Sequence, residues 1–405
     1  MSPRQIKTWL YFLTQGIALT CGVISVSVSP IVGKALAPSS ELSTLPYGIQ
    51  FATVIACSYL LAMLMQRFGR LKIFLFGSGT LFLAGIAGYF SILQQSFNIN
   101  LLAHILFGVS LSTFAFFRFA ATEGLDDSMK SRALSLVTLG GILAAFVGPA
   151  IASNSRSFIV DQEFAASYLC FSALGILMAM FLSVIAILSR NERKKPQPEA
   201  AQEYAGAIAD PQEKHAIPIL PLLVAIYASG FGYMIMAMLM MQSSLKLNAL
   251  QLPFSDIMQV IQWHVIAMFL PSLFMGRIIA RTSESTVILG GYLVMLASML
   301  IAIYEPTYNG VLAALIGIGL GWNMLYVGGS SLVARLPGDA HRMQGINESA
   351  VAFLNATGAF SAGALFVWIG WENSNWLAIS LLTPGLILLI SWKLKRRQQH
   401  AVAIS

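Results

Sequence analysis

The sequence predicts an all-α membrane protein, with twelve transmembrane helices arranged as two pseudo-symmetric six-helix bundles. Three observations predict it. Hydrophobic residues make up 57% of the 405-residue chain and charged residues only 10%, against about 25% in ordinary soluble proteins. The apolar residues gather into twelve runs, most of them near the ~20 residues of helix that cross a bilayer core. Landmarks of the first half return in the second half at a nearly constant offset.

The runs are residues 8–32, 45–65, 73–93, 99–121, 133–152 and 165–188, then 217–241, 252–280, 287–304, 310–333, 345–368 and 376–392. An unpaired backbone group in lipid costs several kcal/mol, so each run is expected to be a helix. The first run follows Arg4 and Lys7 and outlasts the ~7–15 apolar residues of a signal peptide, so it is expected to stay as a span. The second and third are joined by the basic turn Gln66-Arg67-Phe68-Gly69-Arg70-Leu71-Lys72. The fourth holds His104 and Arg118, and the fifth the pairs Gly140-Gly141 and Gly148-Pro149. The sixth ends in Arg190-Asn191-Glu192-Arg193-Lys194-Lys195 and a Pro, Glu, Ala and Gln tract, whose composition suits a flexible tether. The seventh is methionine-rich, the eighth carries His264, the eleventh opens on Glu348, and the twelfth runs into a basic end. The expected organisation is therefore a bundle over 1–189, a cytoplasmic linker over 190–216, a second bundle over 217–395 and a tail over 396–405.

An even number of spans puts both termini on one side. With that side cytoplasmic, 20 of the 24 Lys and Arg fall there; Lys34, Arg156 and Lys246 lie outside, and Arg118 lies at the end of the fourth span. Basic residues in short loops mark the cytoplasmic side. The net charge of +7 is thus a topology signal, with no nucleic-acid partner implied. The repeat supports the same layout. A shift of 214 takes Arg67 to Arg281, Gly16 to Gly230, Gln50 to His264 and Gly77 to Gly291, and a shift of 210 takes Arg132 to Arg342 and Gly148 to Gly358. Parallel halves of this kind occur in one large transporter class, with the solute site between them.

Several classes are disfavoured. No G-x-x-x-x-G-K-[ST] pattern occurs, so ATP is not the expected motor. No loop is long enough for an enzyme domain. Cys21, Cys57 and Cys170 all sit in apolar runs, which gives no disulfide framework. His104 and His264 have no close His or Cys partner in sequence, so neither metal nor cofactor is expected.

The residues also resemble a known family. Ala62-Met63-Leu64-Met65-Gln66-Arg67-Phe68-Gly69-Arg70 is similar to the loop motif G-x-L-a-D-R-x-G-R of the major facilitator superfamily, with Ala62 for the glycine and Gln66 for the aspartate. His104-Ile105-Leu106-Phe107-Gly108 resembles R-x-x-q-G with His104 for the arginine. Gly140-Gly141 and Gly148-Pro149 resemble part of the exporter motif, without its closing glycines. Arg118-Phe119-Ala120-Ala121, Gln262-Trp263-His264 and Pro271-Ser272 resemble a bacterial branch of that superfamily. The resemblance implies a monomeric secondary transporter of a small solute in the bacterial inner membrane, with both termini cytoplasmic. It also implies a cytoplasmic gate at Gln66, Arg67, Gly69 and Arg70, latched in the outward-open state, with Arg118 nearby and Glu348 supplying the charge that Gln66 lacks.

An ionisable side chain within a span is costly, so it is a functional candidate. His264 lies 16 residues before Ala280, roughly 24 Å along the helix and so near the midplane. It reads either as a proton carrier or as a neutral histidine held in a helix interface. A path between the halves is expected along spans one, four, seven and ten, with Gln15, Gln50, Tyr227, Gln259, Trp263, Asn323 and Tyr326 as cavity candidates. Small and polar residues equally serve helix packing. With no midplane carboxylate, a neutral or anionic organic solute is favoured over a cation. Proton-coupled transport, uncoupled facilitation and a sensor or scaffold that keeps the fold all remain open.

Overall fold

A computed structural model describes residues 3–122, 136–137, 139–193, 218–336 and 340–404. No strand occurs among the described residues. Numbered as spans, the helices of the first half are α1 (Pro3–Leu36), α2 (Leu45–Phe68), α3 (Arg70–Leu93), α4 (Phe97–Phe114), α5 (Gly140–Ser155) and α6 (Ala165–Arg193). Those of the second half are α7 (Ile219–Ala249), α8 (Phe254–Arg281), α9 (Glu284–Tyr304), α10 (Tyr308–Ala334), α11 (Ala340–Trp368) and α12 (Gly370–Ile404). Eleven of them are long and apolar enough to cross a membrane. The exception is α5, at 16 residues; residues 133–135, with which its run was expected to begin, lie outside the described residues. The expected twelve-helix fold is the one observed.

Several ends follow from local chemistry. Ser96, Ser283 and Thr307 cap α4, α9 and α10, each side-chain oxygen accepting from the backbone N–H three residues on. Pro46 sits in the first turn of α2, where its missing N–H costs nothing. Gly69 parts α2 from α3 at φ 88°, ψ 146°, a region open almost only to glycine. Terminal helices outrun their apolar cores: α12 continues through the expected tail to Ile404.

The two halves share one packing plan, so the repeat read from the sequence is a repeat of contacts. In the first half α3 packs on α4 and α6, α2 on α4, and α1 on α5; in the second, α9 packs on α10 and α12, α8 on α10, and α7 on α11. The matched glycines sit at matching contacts: Gly77 abuts Thr113 of α4 as Gly291 abuts Leu325 of α10, and Gly148 abuts Val23 of α1 as Gly358 abuts Met234 of α7. Between the halves α2 meets α11 and α5 meets α8, a pair of contacts that exchange under the same two-fold relation.

The close contacts between halves gather at the face that carries the α1–α2, α5–α6, α7–α8 and α11–α12 turns. There Thr44 Oγ1 accepts from the Gly363 N–H at 2.9 Å. Phe164 meets Phe254 with ring centroids 5.2 Å apart, and Arg156 lies over both rings while pairing with Glu163. At the opposite face, which carries the linker, the segments Ile219–Ile226 and Ser272–Arg281 pack within their own half.

Candidate functional site

Two departures from regular helix shape the second half. Within α7, residues Tyr227–Phe231 form a π turn. It is held by the Ser229 hydroxyl, near both Ala225 O and Asn347 Oδ1, and by Tyr227 and Phe231, whose rings stack at 4.1 Å. Within α8, Pro271 interrupts the ladder between Phe269 and Ser272. The carbonyl of Met268, whose helical donor would be the Ser272 N–H, instead accepts from Asn323 Nδ2 of α10 at 2.7 Å.

Between the halves lies a cavity of about 350 Å³, toward the lower end of the roughly 300–1,000 Å³ common for small-molecule sites. Its walls come from α1 (Gln15, Gly22, Val26), α2 (Tyr47, Gln50, Phe51), the end of α4 (Phe114, Ala115), α7 (Tyr233, Met236, Met240), α8 (Met268, Phe269) and α11 (Asn355). The polar groups are amides and phenols. No Asp, Glu, His, Lys or Arg lines it among the described residues.

Of the cavity candidates, Gln15 and Gln50 reach this space and five do not. Tyr227 donates its hydroxyl to Leu381 O of α12, on the far side of α7. Gln259 and Trp263 share a stripe that faces outward; Trp263 is 47% exposed, and Gln259 accepts from the Tyr308 hydroxyl at 2.6 Å. Asn323 is spent on the α8 break, where it also donates to Ser272 Oγ. Tyr326 sits behind the wall, stacked on Trp322 and edge-on to Tyr233. The expected path along spans one, four, seven and ten is corrected accordingly: α10 contributes no wall residue, and α2, α8 and α11 do.

His264 is fully buried between α8 and α10, with its Nδ1–H donating to Leu315 O at 2.6 Å. Its Nε2 is sealed from solvent and has no partner. The repeat is visible here too: the backbone oxygens of Gln50 and His264 are abutted by Gly108 of α4 and Gly319 of α10. In the first half the histidine is on the other helix. His104 of α4, 1% exposed, turns its Nδ1 to Gln50 Oε1 at 3.1 Å.

At the linker face Gln66, Arg67 and Gly69 are exposed and Arg70 is partly buried. The Arg67 guanidinium lies 5.3 Å from the Phe68 ring. Glu348 is not brought to Arg67 or Arg70. Its carboxylate accepts from Gln344 Nε2 at 2.7 Å and from the Tyr326 hydroxyl at 3.4 Å, both in the second half. Arg118 falls on the short helix Phe117–Ala120, pinned by Phe117 against Tyr11, Phe74 and Phe114; its side chain lies outside the described part of the structure.

Residues 10–347 match the family model of the Major Facilitator Superfamily. The chain belongs to the Major Facilitator Superfamily. Among relatives, it is 29% identical to the riboflavin transporter RfnT of Brucella anthropi over 381 residues, 93% of each chain. It is 22% identical to the uncharacterized MFS-type transporter YddS of Bacillus subtilis, over 93% of this chain and 88% of the relative. Among solved structures, the human organic anion transporter MFSD10 (TETRAN) superposes with a TM-score of 0.64, covering 96% of this chain and all of that one at 14% identity. At that identity the likeness concerns the fold. As a superfamily member the chain is a multi-pass membrane transporter of a small solute.

The wall residues missed from sequence are aromatic or apolar: Tyr47, Phe51, Tyr233, Phe269 and the methionines. On α2 a signal existed, because Tyr47, Gln50, Phe51 and Val54 follow helical spacing. On α7 none was available, because Tyr227, the polar residue that marked a face, turns to α12 instead.

Proposed function

We propose that this protein is a secondary transporter of a small, neutral, ring-bearing organic solute of the flavin class, working by alternating access in a bacterial inner membrane. One observation carries the reading: a cavity between the halves walled by aromatic rings and methionines and furnished with uncharged amides and phenols. A flat ring stacks on such walls, and a neutral polar edge finds partners without the desolvation cost of a buried charge. An organic cation would have no counter-charge there. The kinship with a riboflavin transporter over nearly the whole chain makes riboflavin the first solute to test.

Basic residues in the short loops support a cytoplasmic linker face. The closed face is then the outer one, and the structure is inward-facing. In this reading the separation of Glu348 from Arg67 and Arg70 belongs to the inward-facing state. Their latch, with Arg118, forms in the outward-facing one.

For the energy source, drive by the proton gradient with His264 as carrier is supported by its buried, unpartnered Nε2, an open acceptor for a proton. An uncoupled facilitator is favoured by the cavity itself, which no ionised side chain lines among the described residues. Riboflavin uptake into proteoliposomes, with and without a pH gradient, separates these. Flux that follows the gradient and is lost in His264→Ala supports coupling, and gradient-blind flux supports the facilitator. Binding without flux points to a sensor or scaffold. Neither binding nor flux of riboflavin removes the flavin class.

A further inference from the structure

Gln50 carries the one wall amide whose orientation the structure dictates, and a chain of hydrogen bonds anchored on a backbone carbonyl dictates it. Ser91 donates its only hydroxyl proton to Gly88 O at 2.6 Å. Ser91 Oγ is therefore the acceptor for Asn100 Nδ2, 3.2 Å away. The other proton of that amide goes to the Tyr168 hydroxyl oxygen at 2.8 Å. Tyr168 must then turn its own proton toward His104 Nε2, 3.2 Å away.

A neutral imidazole that accepts at Nε2 is protonated at Nδ1. His104 thus donates from Nδ1 to Gln50 Oε1 at 3.1 Å. The Ser25 hydroxyl donates to the same oxygen at 2.8 Å. Both lone pairs of Oε1 are used, so the assignment that starts at the 2.6 Å Ser91–Gly88 bond runs through to Gln50. Gln50 is 1% exposed, and its Nε2 makes no hydrogen bond within the described chain. Its two protons are left for the cavity that Gln50 lines.

We infer that Gln50 is a specificity-determining residue that presents a fixed N–H donor to a ring carbonyl of the solute, with His104 and Tyr168 as positioning residues. The inference rests on the flavin-class reading for its probe, since an isoalloxazine ring carries two carbonyls on its polar edge. A pre-set donor favours a carbonyl over an analogue that cannot accept well, because the donor is otherwise left unpaired.

The test measures riboflavin binding to the purified full chain by flavin fluorescence, and competition by analogues with either carbonyl changed to a thiocarbonyl, a poor acceptor. Wild type is expected to prefer riboflavin over at least one analogue by about tenfold, and Gln50→Leu to lose that preference. Gln50→Met keeps the length of the side chain and removes the donor, so it should lose the preference while still binding the flavins. Equal binding of all three flavins by wild type, or a preference that survives in Gln50→Leu, overturns the proposal.

The relay has a readout that needs no solute. The nitrogen chemical shifts of His104 should report an Nδ1–H tautomer that Tyr168→Phe abolishes. An Nε2–H tautomer in wild type sinks the relay whether or not riboflavin binds. Absence of riboflavin binding with the Nδ1–H tautomer intact would instead remove the flavin reading and, with it, the ring carbonyl as Gln50's partner.

Discussion

Asn323 looked like a cavity residue because a polar side chain near the middle of a span asks for a reason. The structure gives it a different one: its amide donates to the Met268 carbonyl, which the break at Pro271 leaves without its helical donor, and so holds α10 against the break. Asn323→Ala should therefore cost about 1–2 kcal/mol of stability, seen as a lower melting temperature, while leaving the preference among flavins intact. A change in that preference without a loss of stability would return Asn323 to the cavity. His264 carries the same lesson. Its cost in lipid was legible from the sequence, but the acceptor for its Nδ1 proton is a backbone oxygen 51 residues away, which no local pattern reveals.

At the scale of the element, α7 shows what periodicity can and cannot carry. A stripe drawn at uniform spacing from Tyr227 runs through Met234, Met238 and Met241. The π turn at Tyr227–Phe231 inserts an extra residue, which carries that stripe one position on, to Ile235, Leu239 and Gln242. Tyr233, Met236, Ala237 and Met240 reach the cavity, because Tyr227, from which the stripe is drawn, faces α12. Single cysteines at 233, 236 and 240 should therefore be shielded by bound solute from a thiol reagent, while cysteines at 227 and 238 should not be. Shielding at 227 and 238 would return the Tyr227 stripe to the cavity. On α2, which is unbroken, the face that holds Gln50 could be read directly as Tyr47, Gln50, Phe51 and Val54, while Thr53 packs toward Gly108 rather than into the space.

For the whole molecule the question is which contacts must part. Gly363 donates to Thr44 Oγ1, and a Cβ at 363 would stand 2.6 Å from Ser43 Oγ. The two halves approach so closely there because one of them offers a bare backbone. If this face opens and closes in each cycle, Gly363→Leu should hold the halves apart here and slow transport, while Gly345→Leu, where a Cβ meets nothing within 4 Å, should not. Undiminished flux in Gly363→Leu would rule out a need for this close approach. The ring contact of Phe164 with Phe254, overlaid by Arg156, belongs to the same seal.

The sequence by itself determined the helices, their number, the two related halves and the family, because lipid leaves the backbone one economical solution and the basic loop residues punctuate it. It also located the costly side chains, His104, His264, Arg118 and Glu348. Only the tertiary structure decided which way His104, His264 and Glu348 turn. A helix face acquires meaning from what packs on it: Gln50 became a wall donor because a relay through α3, α4 and α6 occupies its oxygen. Tyr227 and Trp263, equally conspicuous in the sequence, turned to a neighbouring helix and to the surroundings.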